Sequence, residues 1–349
     1  MTLALSRPRM VLPGADYGRR PADRILVLQR GENPSTDYYL RPRLSRQGAP
    51  AEIADLSGDP RASRLLAPGA GDAVMVVFCR YASSAWLEAL EAARGRLARV
   101  AFFMDDDLPE MMRSREIPAA ARGKVALHFG AHAGRLSALC SEVWVSTPTL
   151  AERYPQARPL VLPPLPEADP PAASREAGSL VVYHGTDVHA RERAFVVEVA
   201  RRLSPLNPGA RVEIAGGPGL LRGAEGAGNL TVVPQLAWPE YLRAQTGRRA
   251  AISLAPLFPS SLNDARAPVK AFDAARLGAA GLFADAPAYR QEVRDGEDGL
   301  LLPMDPAAWA EAIAALLADP DRRLRLAEAA RTRLAGLLAS PSGFPAARA

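Results

Sequence analysis

A chain of 349 residues, 48% of them hydrophobic, holds enough apolar material for two domains with complete cores, which excludes a disordered chain. Its formal charge of +5 comes from 43 basic and 38 acidic residues, with no basic run interleaved with aromatics, and this argues against a nucleic-acid partner. No apolar run approaches the roughly 20 residues of a spanning helix, and Pro8 and Pro13 interrupt the opening segment before it can form a signal-type apolar core, so a cytoplasmic protein, at most peripheral to the inner membrane face, is expected.

The first half reads as alternating strands and helices. After an irregular lead-in over residues 1–23, Arg24 to Leu28 (RILVL) forms a strand, Gly31 marks a tight turn, and Ser35/Thr36 cap a short amphipathic helix. Ala51 to Asp55 and Asp72 to Arg80 supply further strands. A helix from Ser84 to Arg94 places Trp86, Leu87, Leu90 and Ala93 on one face, and a strand follows from Val100 to Met104. Cys79 and Cys140 sit in apolar contexts without metal-ligand or CxxC spacing and are expected to be buried, reduced thiols.

Asp105, Asp106 and Asp107 come directly after the strand ending at Met104, where open α/β sheets place their ligands. Three readings stand: Asp105 and Asp107 as ligands of a divalent cation, the carboxylates as caps of a helix from Leu108 to Ser114, or a carboxylate that hydrogen-bonds a bound substrate. His128 and His132 are spaced to share a face if their segment is helical, but no third ligand accompanies them. Glu142 to Val145 gives a strand, Ser146-Thr147-Pro148 a helix start, and residues 158–178 a linker with six prolines.

The second half opens on a strand from Ser179 to Tyr183, a turn at Gly185-Thr186 and a helix beginning near Val188, with His189 and Arg191 on its first turn. An arginine there gains nothing from the helix dipole, so it serves a negative partner or is one more surface charge of an arginine-rich chain. Strands at Arg211 to Ile214 and Leu230 to Val233 flank the turn-forming glycines Gly216, Gly217 and Gly219. Ala251 to Leu254, Gly281 to Ala284 and Leu300 to Leu302 are three more strands, the first two separated by a helix over Pro268 to Leu277. Asp305 caps a helix with Pro306 at its first position, and a last helix carries Leu326, Ala330, Leu334 and Leu338. Lys270 is one of only two lysines in the chain, the other being Lys124, and a compact ammonium near strand ends is a usual partner of a diphosphate.

The strand, the loop with Asn263 and Lys270, the helix ending at Leu277-Gly278, and Tyr289, Glu292 and DGEDGLLLP resemble the donor half of GT-B glycosyltransferases. The particular resemblance is to the retaining family 4, or group 1, enzymes. It covers residues 180–335 well and the first half loosely. The run from Gly185 to Glu192 is similar to the family's G(S/T)xxHxxD segment with Glu in place of Asp, and SEVWVSTPTLAERY to its ST-containing strand and helix.

The resemblance implies an α/β chain of two doubly wound, Rossmann-like domains facing across a cleft: an acceptor-side domain over 1–162, a hinge over 163–178, a nucleotide-sugar donor domain over 179–335 and a tail over 336–349. It implies sugar transfer from a nucleotide-diphosphate donor with retention of configuration, without metal or cofactor, to a glycan, lipid-linked or protein acceptor. Arg191, Lys270, Asp106 and Asp107 are the catalytic candidates. Gly185, Thr186, His189, Asn263, Asp273, Tyr289 and Glu292 are the donor-binding candidates, and Gly31, Asp105, His128 and His132 the acceptor-side ones. One departure stands out: the family's Glu, seven residues, Glu pattern becomes Ala265 and Asp273 here, nearer a branch with an N.AKS..K.LEY segment. It leaves open an idle relative that binds a nucleotide sugar or a partner in a glycan-assembly complex.

Overall fold

The structure, a computed structural model, describes residues 10–18, 21–67, 73–217, 219–220, 224, 227–339 and 343–346, the side chain of Asp187 excepted. Two compact units result. The first comprises 1–164, 265–267 and 341–349, and the second 165–264 and 268–340. The proline-rich stretch expected as a hinge over 163–178 thus falls almost wholly within the second unit. The last helix runs through Ala339, four residues into the expected tail, whereas Phe344 of the tail stacks on Trp144 in the first unit.

In the first unit, β1 (Arg24–Gln29), β2 (Ala51–Asp55), β3 (Val74–Cys79), β4 (Leu97–Met104), β5 (Glu142–Val145) and β6 (Leu160–Val161) form one parallel sheet in the order β2-β1-β3-β4-β5-β6. Every residue of β3 is buried, as an apolar run covered on both faces requires. Asp72, expected to open that strand, lies outside the described residues, as do residues 1–9 of the lead-in. The expected Ser35/Thr36 cap is replaced by Asn33, whose Oδ1 accepts from the Thr36 amide at 3.0 Å, while Ser35 is already helical and turned inward. Cys79 and Cys140 are both buried free thiols, with Cys79 pushed up to about 12 chiefly by burial.

In the second unit, β7 (Leu180–Tyr183), β8 (Arg211–Ala215), β9 (Leu230–Val233), β10 (Ile252–Ala255), β11 (Ala280–Ala284) and β12 (Leu300–Leu302) make a second parallel sheet in the order β12-β11-β10-β7-β8-β9. The order reverses beside β7, so the carboxyl ends of β7 and β10 border the crevice where such sheets take their ligands. Trp309, Ile313 and Leu316 of the helix Pro306–Ala318 pack into the core of this unit, and the Trp309 indole donates to the Pro303 carbonyl at 2.8 Å. Asp305 caps the same helix through the Ala307 amide, as its position before Pro306 indicates. The helix Trp238–Gln245 has no counterpart among the expected elements. Trp238, Tyr241 and Leu242 lie on one face of it at helical spacing, and Gln245 is its buried residue. No helix among the described residues is long and apolar enough to cross a membrane.

Candidate functional site

At the carboxyl ends of β3 and β4 in the first unit, the three carboxylates are sorted into different roles. Asp107 is a cap: its Oδ1 accepts from the Glu110 amide at 3.0 Å at the start of the short helix Leu108–Met111. Its Oδ2 takes the Arg153 guanidinium at 2.9 Å, the Tyr154 hydroxyl donates to Oδ1, and the residue is only 3% exposed. Asp107, expected among the catalytic candidates, therefore has its oxygens occupied by structural partners.

Asp105 and Asp106 are held by Arg80, which is not among the expected site residues. Arg80 reaches Asp105 at 3.4 Å and Asp106 at 3.3 Å, and it does so from a backbone φ of +68°, a region that L-residues visit at a cost. Burial opposes the charge on Arg80, but Asp105, Tyr81 and Asp106 outweigh it and hold the guanidinium protonated. Ser35 Oγ donates to Asp105 Oδ2 at 2.6 Å, and Ser146 Oγ donates to the Asp105 carbonyl at 2.7 Å. Burial, despite Arg80, keeps the Asp105 carboxyl above the usual carboxylate range. Asp106 also lies 3.8 Å from Arg266, in the three-residue stretch that groups with this unit. Beside it Ala265, where the family's first Glu would stand, is buried with its carbonyl accepting from Thr147 Oγ1 at 2.9 Å.

Gly31 turns the chain after β1 with a φ of +62°, and its amide donates to Asp55 Oδ2 at 2.5 Å. His128 and His132 do not share a helical face. The helix Ala119–His128 ends at the first of them, and the chain re-forms as a 3-10 turn at Gly130–His132. At the start of that turn Gly130 sits against the Met112 side chain, where a Cβ would come within 2.6 Å of Cε. The His128 ring meets Tyr81 edge-on at 5.9 Å. Among the described residues no group of three or more His, Cys, Asp or Glu side chains could hold a metal ion.

In the second unit the site gathers at the carboxyl end of β7. Lys270, on the first turn of the helix Val269–Arg276, donates to the main-chain carbonyl of His184 at 2.6 Å and to Asp273 Oδ2 at 3.0 Å. Asp273, 8% exposed, also accepts from Arg276 at 3.2 Å. The helix brings Lys270 and Asp273 to one side because they are three residues apart.

The His184 ring is fixed in turn. Its Nε2 lies 2.9 Å from Glu213 Oε1, and Arg248 grips both Glu213 oxygens at 3.0 and 2.9 Å. A carboxylate can only accept, so Nε2 carries the proton, and in the neutral ring Nδ1 accepts from the Tyr241 hydroxyl at 3.2 Å. Glu213 is lowered to about 2, first by the His184 hydrogen bond and, against burial, by Arg248. A carboxylate inside the apolar strand RVEIA was the available signal for this network, since a buried charge needs a partner.

Gly185 follows His184 with its backbone against the Tyr183 ring, where a Cβ would come within 2.6 Å of the hydroxyl oxygen. Thr186 precedes the 3-10 turn Asp187–His189, and the α-helix proper runs Ala190–Leu206. His189 Nδ1 lies 3.8 Å from Glu192, whose carboxyl burial would raise but the His189 contact and the Phe258 amide lower. Arg191 is exposed on the first helical turn, its guanidinium 4.4 Å from the Phe258 ring centroid. The Asn263 side chain donates to the Phe258 carbonyl at 2.8 Å, fixing the loop under that ring.

The last two donor-side candidates follow β11. Tyr289 is 5% exposed, with its ring tilted against Phe283 at 5.1 Å, so it is a core residue. Glu292 is exposed and faces Arg333 at 3.6 Å, rather than either neighbouring arginine, while Arg333 also binds Asp298 at 2.7 Å.

Two parallel six-stranded sheets of this order define a GT-B fold. The second unit can be placed more closely: residues 167–333 match the family model described as Glycosyl transferases group 1, which supports a transferase. Solved structures agree on the fold. The Anabaena protein HepE, crystallised with UDP and glucose, has a TM-score of 0.58 at 13% identity over 90% of this chain and 95% of that one. Sucrose-phosphate synthase from Thermosynechococcus elongatus has a TM-score of 0.55 at 14% identity over the same shares. A point mutant of the Staphylococcus aureus protein TarM, in complex with fondaparinux, α-GlcNAc-glycerol and UDP, has a TM-score of 0.51 at 9% identity over 77% of this chain and 56% of that one. No curated protein matches the chain in sequence.

Proposed function

We propose that the chain transfers a sugar from a nucleoside-diphosphate donor to an acceptor, with retention of configuration and without a metal ion. The observation that carries the reading is Lys270, an ammonium held at the carboxyl end of β7 by His184 and Asp273 in the segment that matches the glycosyl transferases group 1 model. Two of its three donors are used by the protein, and the third can serve a phosphoryl oxygen. Arg191, exposed and steadied by Phe258, supplies a second cation on the same unit. Departure of a diphosphate builds negative charge, and cations fixed beforehand stabilise that charge without reorganising during the step. The UDP bound in two of the solved structures of similar fold makes UDP-sugars the first to test.

A second reading has one specific observation behind it. Ala265 is buried and bonded through its carbonyl, so its position offers no carboxylate to a donor sugar, which favours a chain that binds a nucleotide sugar without transferring it. Incubation with a panel of nucleotide sugars, without acceptor, separates the two. Slow release of free sugar, lost in Lys270→Ala, supports transfer, and tight donor binding with no release supports the binder. Binding of no nucleotide sugar overturns both.

A further inference from the structure

β3 ends at Cys79, and the chain leaves it through a three-residue turn: the Tyr81 amide donates to the Cys79 carbonyl at 2.8 Å around Arg80, whose φ is +68°. A turn of this kind with positive φ is the strained form of the γ-turn, and glycine is the residue that adopts such a φ most readily. Neighbouring bonds pin it, since the Arg80 amide donates to the Phe103 carbonyl of β4 at 2.8 Å and the Ala82 amide to the His128 carbonyl at 2.9 Å. An arginine kept at such a position bears the strain for the sake of its side chain.

That side chain reaches in three directions. Nε faces Asp105 Oδ1 at 3.4 Å, Nη2 faces Asp106 Oδ2 at 3.3 Å, and Nη1 donates to Ser35 Oγ at 3.2 Å. Ser35 Oγ in turn donates to Asp105 Oδ2 at 2.6 Å, so Ser35, Asp105 and Arg80 close a ring of contacts. Arg80 Nε and Asp105 Oδ1 are sealed from solvent, whereas the Asp106 side chain is 25% exposed and forms the open side of the cluster. Neutralising a carboxylate does not call for a strained backbone: Arg153 and Arg248 grip theirs from ordinary φ values. The strained turn is accounted for by where the guanidinium points, at the carboxyl ends of β3 and β4, where open sheets take their ligands.

We propose that Arg80 is a positioning residue for sugar transfer: the strained turn, with Ser35 and Asp105 behind it, fixes the guanidinium so that Asp106 is held ready to accept a hydrogen bond from the attacking hydroxyl. The inference rests on the transferase reading and extends it to a residue of the first unit. Arg80 itself acts through Asp106. Lysine at the same position carries the charge but is a point donor on a flexible stem, and it does not reproduce a planar fork that spans three partners.

The test is release of sugar to water from whichever UDP-sugar the wild type hydrolyses fastest, water standing where the attacking hydroxyl would be. It is read in the wild type, Arg80→Lys, Asp106→Asn and the double variant. Arg80→Lys should lower kcat about tenfold, while the donor KM and the calorimetric affinity for UDP stay near the wild-type values. The double variant should be no slower than Asp106→Asn alone, because the two residues act as one unit. If Arg80→Lys fails to fold, Ser35→Ala decides: loss of the hydroxyl that tethers the guanidinium should lower kcat in the wild-type background and leave it unchanged in the Asp106→Asn background. A purely structural Arg80 would move the unfolding midpoint and leave kcat of the folded variant intact, and that result overturns the proposal, as does a double variant well below Asp106→Asn. If the wild type releases no sugar from any donor, the transferase reading fails and the inference falls with it.

Discussion

The Lys270 ammonium is tied to the main-chain carbonyl of His184 at 2.6 Å, so the first turn of the helix Val269–Arg276 and the loop after β7 are joined through a cation. A substitution there acts on both ligand and protein. Lys270→Ala is expected to weaken nucleoside-diphosphate affinity about tenfold to a hundredfold, the effect of losing a charge-assisted contact of about 1.5 to 3 kcal/mol. It also removes one of the cations that Asp273 pairs with, and a fall of a few degrees in the unfolding midpoint should accompany it. Calorimetry of UDP binding checks the first effect and a thermal scan the second. Unchanged affinity in a folded variant would remove Lys270 from the site.

The Glu213 network makes an acid-side prediction. Its carboxyl is lowered from 4.5 to about 2 in the folded protein, so its stabilisation is complete above the unfolded value and is lost as pH falls through that interval. The contribution at neutral pH is on the order of 3 kcal/mol. Glu213→Gln should lose most of it and flatten the dependence of unfolding free energy on pH between about 4.5 and 2. Denaturant titrations at several pH values check this, and parallel curves for both proteins would refute it. Because the His184 ring leans on Glu213 while its carbonyl holds Lys270, the variant should weaken UDP binding as well.

Asp106 and Asp107 are adjacent, but opposite outcomes are expected of them. Asp107→Asn removes the charge that Arg153 faces at 3% exposure, so it should destabilise the first unit by about 2 to 4 kcal/mol. Asp106, paired with Arg80 and Arg266 at 3.3 and 3.8 Å, is less buried, and Asp106→Asn should leave stability nearly unchanged while lowering turnover. On the metal-free reading, turnover of the wild type should survive EDTA. Unfolding curves of the two variants and rates with and without chelator are the measurements, and activity restored by Mn²⁺ after EDTA would establish a metal requirement.

The strands were legible because buried parallel strands are written as short apolar runs, and β3, β5, β10 and β11, buried throughout, fall on such runs. Helix Trp238–Gln245 was written as plainly, in Trp238, Tyr241 and Leu242 at i, i+3 and i+4, but is not among the expected elements. Lys270 could be singled out by its rarity and its place before a strand. The roles of the carboxylates could not, because they are decided by partners far along the chain. Asp107 caps its helix through the Glu110 amide three residues on, but it is withdrawn from the site by Arg153 and Tyr154, which lie 46 and 47 residues away. Arg80 and Asp105 are joined only when β3 and β4 pair, and Glu213 meets Arg248 across 35 residues. Glu213 still left a signal, a charge in an apolar strand, whereas the backbone strain at Arg80 left none.

Glu292 provides the sharpest test of the donor side. A carboxylate that accepts both ribose hydroxyls of a nucleotide would be left unmet by a deoxyribose donor, so Glu292→Gln should weaken ribonucleotide diphosphates and narrow their advantage over the deoxy forms. Glu292 also has a defined partner within the protein. Glu292 lies 3.6 Å from Arg333, which is itself held by the buried Asp298 at 2.7 Å, and its side chain is 48% exposed. An exposed contact of that length is worth about 0 to 1 kcal/mol, so it neither fixes the carboxylate nor prevents it from turning to a ribose. The two roles differ in what Arg333→Ala does. If Glu292 serves the ribose, that variant should leave the ribo-to-deoxyribo ratio close to the wild-type value, while Glu292→Gln changes it about tenfold, as loss of a hydrogen bond to a charged acceptor would. If Glu292 only pairs with Arg333, neither variant changes the ratio. Affinities for UDP and deoxy-UDP in the three proteins, measured side by side, separate these outcomes.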